Sequence, residues 1–187
     1  SAPDFETTTS VTATVTVTDA AGLFDTQEVT VTVTNVNEAP TITSTTTAFT
    51  IAENQTAIPN ATITASDVDA DDTLTFSVSG DVLTIGTDGV LSFISAPDFE
   101  TTTSVTATVT VTDAAGLTDT QEVTITVTDE NDNAPVFTSD ASFTIPEGIA
   151  DIVDITTTDA DANSNVLSEN VDYLITGGPD AASFVLV

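Results

Sequence analysis

The stretch Ser104–Asp113, "SVTATVTVTD", decides the fold, because apolar and hydroxyl side chains alternate along it without a break. Valine or alanine fills every second position from Val105 to Val111, and threonine fills the positions between them. A period of two predicts a half-buried β-strand, and β-branched residues favour that conformation. The run Glu122–Thr128 alternates in the same way. Its predicted inward residues are Val123, Ile125 and Val127.

The surrounding sequence also reads as strands. The segment "TIGTDGVLSF" at 84–93 predicts two short strands joined at a Gly/Asp turn, and Phe93 and Phe99 are predicted core residues. No amphipathic helical pattern is visible. About seven short strands fit between residues 40 and 134, which predicts an all-β fold made of a Greek-key, seven-stranded β-sandwich with immunoglobulin-like architecture.

The sequence repeats internally. Ser1–Leu23 recurs unchanged as Ser95–Leu117, a shift of 94 residues. A repeat of this length is the size of a domain, so we expect a string of modules. With Ala-Pro as the boundary, residues 1–39 are the C-terminal part of one repeat, 40–134 a complete repeat and 135–187 the N-terminal part of a third. We expect a longer array around them.

Charge limits the partners. The 187 residues include 30 Asp and Glu but no Lys, Arg or His, so the formal net charge is −30 and no side-chain salt bridge can form. Nucleic acid and anionic membrane surfaces are unsuitable partners, and no apolar run approaches the length of a membrane span. Inorganic cations or a basic partner must compensate the charge.

The carboxylates are clustered along the complete repeat. They lie in "AEN" (Glu53), "DVD" (Asp67 and Asp69), "APDFE" (Asp98 and Glu100), "TDAAG" (Asp113) and "TVTDENDNAP" (126–135). The chain has no Cys, His or Met, so only oxygen ligands are available. Hard cations such as Ca²⁺ take six to eight oxygens, whereas soft metals prefer sulfur and imidazole. The pattern predicts calcium sites.

These five motifs, in this order, resemble the PEN, DxD, DRE, DxG and DxNDNxP motifs of tandem extracellular cadherin repeats, especially the cadherin-like modules of large bacterial calcium-dependent surface adhesins. The resemblance covers the complete repeat and both partial ones. It implies that each linker binds up to three calcium ions, with ligands from the repeats on both sides.

The resemblance also implies the ligands. At the second linker they are Glu53, Asp98, Glu100, the side chains of Asn131 and Asp132, the backbone carbonyls of Glu130 and Asn133, Asp159, Asp161 and a carbonyl near Asn163 or Asn165. At the first linker they are Asp4, Glu6, Asn37, Glu38, Asp67, Asp69 and Asp113. By the same logic Asp19 serves an earlier linker and Glu147 a later one.

This sequence departs from the family pattern in places. The first linker, "NVNEAP", is one residue shorter than "DENDNAP" and lacks its final asparagine, so we expect fewer or weaker ions there. Its AEN-type glutamate is expected before Ser1, and the DxG-type aspartate of the third repeat after Val187. Phe99 replaces the usual arginine of DRE, and Gly148 replaces the usual asparagine of PEN.

Simpler interpretations explain the motifs less well. A solvated acidic linker without metal explains "DENDN" alone but not the five motifs together. An EF-hand in "DVDADD" fails, because Asp72 stands where that loop requires glycine. A glycosidase pair at Asp98 and Glu100 lacks assisting residues and a cleft. The threonine rows could form a hydroxyl array that binds ice or glycan, but solubility of a β surface explains them more simply.

We therefore expect a non-catalytic, calcium-rigidified extender segment of an extracellular adhesin or surface filament, on a bacterial cell surface. The expected partners are calcium ions, neighbouring repeats and other copies of the chain. The alternative is a subunit of a self-assembling filament joined by strand donation between protomers. A third hypothesis, direct homophilic or glycan adhesion, has no exposed aromatic cluster in its favour.

Overall fold

The computed structural model describes residues 2–70, 72–144, 146–148, 155–161 and 175–176. The described residues form only strands, turns and loops, and no helix among them is long and apolar enough to cross a membrane. The strands are β1 (Ser10–Thr18), β2 (Phe24–Thr32), β3 (Thr41–Ile42), β4 (Ala48–Ala52), β5 (Ala57–Thr62), β6 (Ala65–Ser66), β7 (Thr75–Val78), β8 (Leu83–Ile85), β9 (Val90–Phe93), β10 (Ser104–Thr112), β11 (Thr118–Thr128), β12 (Val136–Phe137) and β13 (Thr157–Thr158).

Residues 40–134, here called the middle module, form a two-layer sandwich. One sheet has the strand order β4-β11-β10-β7 and the other β5-β9-β8. Strand β4 runs parallel to β11, whereas β10 is antiparallel to both β11 and β7. The chain crosses between these two sheets from β4 to β5, from β7 to β8 and from β9 to β10, which is typical of a Greek-key sandwich. The predicted all-β sandwich is confirmed.

The core lies where the alternation placed it. Val109, Val111, Val123 and Ile125 are completely buried between the sheets, and Leu91 meets them from the opposite sheet. Phe93 is buried and Phe99 packs against the cluster, as predicted. The intervening threonines of β10 and β11 face outward because successive side chains of a strand point to opposite faces.

The strand count of the middle module differs from the seven expected. It contains nine segments, since β3 and β6 form a separate two-stranded ladder at the edge of the sandwich. Strand β3 pairs with β6 at Thr41 and Ile42, and the next strand, β4, pairs with β11 from Ala48 onward. Residues 41–52 therefore contribute two short strands to different ladders.

The segments before and after the middle module contain strand pairs that match pairs within it. Strands β1 and β2 pair in the register of β10 and β11, so that Val15 opposes Gln27 as Val109 opposes Gln121. Strands β12 and β13 pair as β3 and β6 do. The backbone N–H of Thr138 donates to the Thr156 carbonyl oxygen (2.8 Å), which reproduces a bond beside the β3–β6 pair.

Candidate metal centres

Within the described part of the chain, acidic side chains meet in four groups of three, two at each end of the middle module. In every group one carboxylate oxygen from each residue lies within 4.8 Å of the others. The groups are Glu53, Glu100 and Asp129; Glu100, Asp132 and Asp161; Glu6, Glu38 and Asp69; and Asp67, Asp72 and Asp113. Charges of one sign so close together repel strongly unless a cation lies between them.

Glu53 organises the second linker, residues 129–134. It follows β4, and the parallel pairing of β4 with β11 brings it to the point where β11 ends. The side chain is 1 % exposed. Its Oε1 accepts a hydrogen bond from the backbone N–H of Glu130 (2.8 Å), and its Oε2 accepts one from the N–H of Phe99 (2.7 Å). One buried carboxylate therefore fixes both the linker and the 97–100 loop.

Asp129 completes the first group with Glu53 and Glu100. Its Oδ1 is buried and has no hydrogen-bond partner among the described residues. Burial, followed by the charges of Asp161 and Glu53, raises the pKa of Asp129. A buried carboxylate oxygen without a donor is costly, and a cation at this position would satisfy it.

The second group combines residues from both sides of the linker with one from the linker itself. Glu100 belongs to the middle module, Asp132 to the linker and Asp161 to the segment that follows. Asn133 holds Asp161 in place, because its backbone N–H donates to Oδ2 (2.7 Å) and its amide nitrogen donates to Oδ1 (2.8 Å). The amide nitrogen of Asn54 donates to Asp132 Oδ2 (2.6 Å). Amide donors thus hold two of the three carboxylates, those of Asp132 and Asp161, in place.

The pKa values of Glu100 and Asp161 shift in opposite directions. A hydrogen bond between the side chains of Glu100 and Asp98, together with desolvation, raises the pKa of Glu100 to about 7. The amide of Asn133 is the main cause that lowers the pKa of Asp161. Near neutral pH Glu100 is therefore partly protonated, and a bound cation would displace that proton.

The first linker brings together Glu6, Glu38 and Asp69. Asp69 accepts hydrogen bonds from the backbone N–H of Glu38 at Oδ2 (2.9 Å) and from the Asn35 amide at Oδ1 (2.6 Å). A hydrogen bond with the Asp4 side chain is the main cause that raises the pKa of Glu6. A cavity of about 450 Å³ adjoins the group.

The fourth group, Asp67, Asp72 and Asp113, lies on the middle-module side of the same linker. Oδ2 of Asp67 and Oδ2 of Asp72 are buried without a hydrogen-bond partner among the described residues. Asp113 is buried, and burial alone would raise its pKa, but hydrogen bonds from the Asn37 amide (2.7 Å) and the Leu117 N–H (2.7 Å) lower it overall. Burial raises the pKa of Asp72.

The remaining predicted ligands lie outside these four groups. Asp4 and Asp98 each accept a hydrogen bond from the N–H two residues later, and Asp159 accepts one from Asp161. Asn37, Asn133 and Glu130 act as hydrogen-bond donors to grouped carboxylates, and Asn131 is exposed. Their roles as calcium ligands remain predictions. Asn163 and Asn165 lie outside the described residues.

Two grouped residues, Asp72 and Asp129, were missing from the predicted ligand set. Asp129 opens "DENDN", and its position directly after a strand could have indicated it. Asp72 follows the DxD motif by three positions, and the hydrogen bond from its N–H to the Asp69 carbonyl (3.0 Å) turns it back towards Asp67. That turn has no marker in the sequence.

The donor set fits a hard divalent cation. The four groups contain eleven different acidic residues, and three of their oxygens are buried without a hydrogen-bond partner among the described residues. The chain has no His, Cys or Met. Calcium accepts carboxylates of this kind together with carbonyls and water at 2.3–2.6 Å.

Comparisons with known proteins agree with this architecture. A family model described as a bacterial Ig domain matches residues 37–126. A search of curated proteins found no match. Among solved structures, protocadherin gamma B7 extracellular cadherin domains 1–4 have a TM-score of 0.70 at 22 % identity, covering 84 % of this chain and 42 % of that one.

Mouse cadherin-23 EC22-24 has a TM-score of 0.66 at 21 % identity, covering 84 % of this chain and 56 % of that one. A cis-dimer structure of protocadherin gamma B7 EC3-6 has a TM-score of 0.65 at 23 % identity, covering 84 % and 45 %. The chain thus spans about half the length of these structures. It has the cadherin-like repeat fold, an immunoglobulin-type β-sandwich, which confirms the resemblance inferred from its motifs.

Proposed function

We propose that this chain is a non-catalytic extender segment of an extracellular adhesin or surface filament, rigidified by calcium and exposed on a bacterial cell surface. The observation that carries the proposal is the group Glu100, Asp132 and Asp161, which takes one carboxylate from each side of the linker and one from the linker itself. A cation held there interacts with both neighbouring repeats at once.

The mechanism follows from charge. Without metal, the carboxylates at each linker repel one another, and the chain has no cationic side chain that could reduce this repulsion. With calcium bound, Glu53 and Glu100 on one side and Asp161 on the other would share ions through Asp129 and Asp132. The binding free energy then opposes bending at the linker, and a series of such linkers forms a stiff stalk.

The expected setting is also part of the proposal. The bacterial Ig domain model and the cadherin ectodomain neighbours support an extracellular repeat protein. A surface with net charge −30 suits saline, calcium-rich water, where ions screen repulsion beyond about 10 Å.

Calorimetry and small-angle X-ray scattering test the leading proposal. We expect the chain to bind calcium and to become more extended, with a narrower distribution of dimensions, than in chelator. Asp132→Asn should weaken binding at least tenfold, because it removes a charge shared across the linker. Asp81→Asn, the same change at an exposed site outside the groups, is the control. Scattering curves that are identical with calcium and with chelator would contradict the proposal.

A further inference from the structure

An asparagine is exposed on β5 because a bulge interrupts the strand. Ile58 and Ala61 are buried, while Pro59 and Asn60 between them are both exposed, although the side chains of a regular strand alternate between its two faces. The pairing of β5 with β9 shifts register along this stretch, and Asn60 has a φ of +57°, which few residues other than glycine adopt. Without the bulge, Asn60 would point towards the core.

Asn60 begins the motif Asn-Ala-Thr, which ends at Thr62. Asn-x-Thr is an acceptor motif for N-linked sugars, in which the asparagine amide nitrogen carries the sugar and the hydroxyl two residues later is part of the recognised motif. Both residues are exposed, and neither side chain forms a hydrogen bond with another described residue. The amide and the hydroxyl are therefore both accessible to an enzyme.

The same motif occurs once more in the sequence, as Asn-Gln-Thr at 54–56, but there the acceptor nitrogen is occupied. The Asn54 amide nitrogen donates to Asp132 Oδ2 (2.6 Å) at the second linker. The backbone N–H of Asn54 also donates to the Pro97 carbonyl oxygen (2.9 Å). Modification of Asn54 would therefore break a contact of the linker, whereas modification of Asn60 breaks none.

Charge also distinguishes the two positions. Sugar donors that carry a pyrophosphate are anionic, and a chain with net charge −30 repels them. Asn54 contacts Asp132, whereas the three strands of the sheet that holds Asn60 (β5, β8 and β9) contain no Asp or Glu. Val90, which pairs with Thr62 on this sheet, is 41 % exposed. The surface around Asn60 is thus neutral and partly apolar.

We propose that Asn60 is the acceptor of an N-linked sugar, transferred from a donor in which the sugar is activated by a pyrophosphate. The amide nitrogen Nδ2 of Asn60 forms a bond to the anomeric carbon of the sugar. The bond from that carbon to the phosphate oxygen breaks, its electron pair leaves with the pyrophosphate group, and one amide proton passes to a base of the transferase. The site is independent of calcium binding and of the extender function.

Incubation of the folded chain with a purified N-glycosyltransferase specific for Asn-x-Ser/Thr and with UDP-glucose provides the test. Mass spectrometry of the intact chain should show one added hexose, and fragmentation should place it at Asn60. Modification of Asn54 should be at least tenfold slower. A synthetic peptide with the sequence of residues 51–65 controls for the preference of the enzyme, because both motifs are free in it, and the two rates should agree within threefold.

Matched variants test the motif and the contact that protects Asn54. Thr62→Val removes only the hydroxyl at an exposed position and should abolish modification of Asn60, whereas Thr62→Ser should retain it. Asp132→Ala removes the acceptor of the Asn54 amide and should accelerate modification of Asn54. A folded chain without hexose at Asn60 while the peptide reacts, equal rates at the two asparagines of the folded chain, or modification that persists in Thr62→Val would overturn the proposal.

Discussion

Glu53 is the residue on which the second linker depends most. Its buried carboxylate accepts two backbone hydrogen bonds, one from the linker and one from the 97–100 loop, and also faces Glu100 and Asp129. It positions the polypeptide in the absence of metal. We propose that it also offers a charge to a bound cation.

The substitution Glu53→Gln separates these roles. Glutamine has one acceptor oxygen, so either the Glu130 or the Phe99 N–H would face an amide donor. We expect a loss of about 1.5–3 kcal/mol in the free energy of unfolding in chelator, and a larger loss in calcium. Urea unfolding followed by circular dichroism measures both. Glu122→Gln, an exposed site on β11, is the control, and an equal effect of both variants would refute this role.

Glu100 should make the proposed calcium binding dependent on pH. Its pKa is raised from 4.5 to about 7 by the hydrogen bond with Asp98, so the metal-free folded chain keeps a proton that the unfolded chain releases. This proton stabilises the metal-free fold below pH 4.5, and the contribution is lost as the pH rises through 7. Calcium must displace the proton, so its affinity at the second linker should increase from pH 6 to pH 8.

Calorimetry in buffers of different ionisation enthalpy checks this dependence by counting the protons released at pH 6. Asp98→Asn removes the carboxyl group whose hydrogen bond raises the pKa of Glu100. It should therefore flatten the dependence of calcium affinity on pH. Identical affinities of the unsubstituted chain at pH 6 and pH 8 would contradict the assignment.

The site was only partly predictable at the level of residues. Glu53, Asp69 and Asp113 were predicted because they stand in recognisable motifs, and the structure brings them into acidic groups. Asp72 was missed because its contribution depends on a turn that no motif marks. Asp129 was missed because the family pattern assigns the metal to its neighbours, whereas here its own oxygen is the buried one.

At the level of elements, strands were more predictable than their pairing. The strict alternation in β10 and β11 requires one buried face, and those residues are the core. The ladder of β3 with β6 was not predicted, because two-residue strands carry no period to detect. Which edge they join depends on tertiary contacts such as the hydrogen bond from the Ile42 N–H to Asp119 (2.8 Å).

The two linkers should differ in affinity. The second linker offers Asp129 and Asp132, whereas the first has Asn35 at the position of Asp129 and an amide contact from Asn35 to Asp69 instead of a charge. Fewer carboxylates bind calcium more weakly. A calcium titration should therefore show two phases. Asp132→Asn should weaken the tighter phase and Glu38→Gln the weaker one, and a reversed assignment would contradict this difference.

At the level of the whole molecule, the chain is a polyanion that cannot neutralise itself. With net charge −30 and no cationic side chain, every close approach of carboxylates must be compensated from solution. The sandwich does not require compensating cations, because its core is apolar. The linkers do require them, since the four acidic groups lie at the two ends of the middle module. Calcium should therefore order the linkers more than the modules.

Distances between spin labels across the second linker test this central claim most directly. The chain contains no cysteine, so Thr84→Cys and Thr158→Cys, both at exposed strand positions, accept labels without competing thiols. Dilution with unlabelled protein removes distances between copies. Pulsed electron resonance should give a broad distance distribution in chelator and a narrow one in calcium, with Asp132→Asn remaining broad at the same calcium concentration. Distributions of equal width in calcium and in chelator would contradict the account.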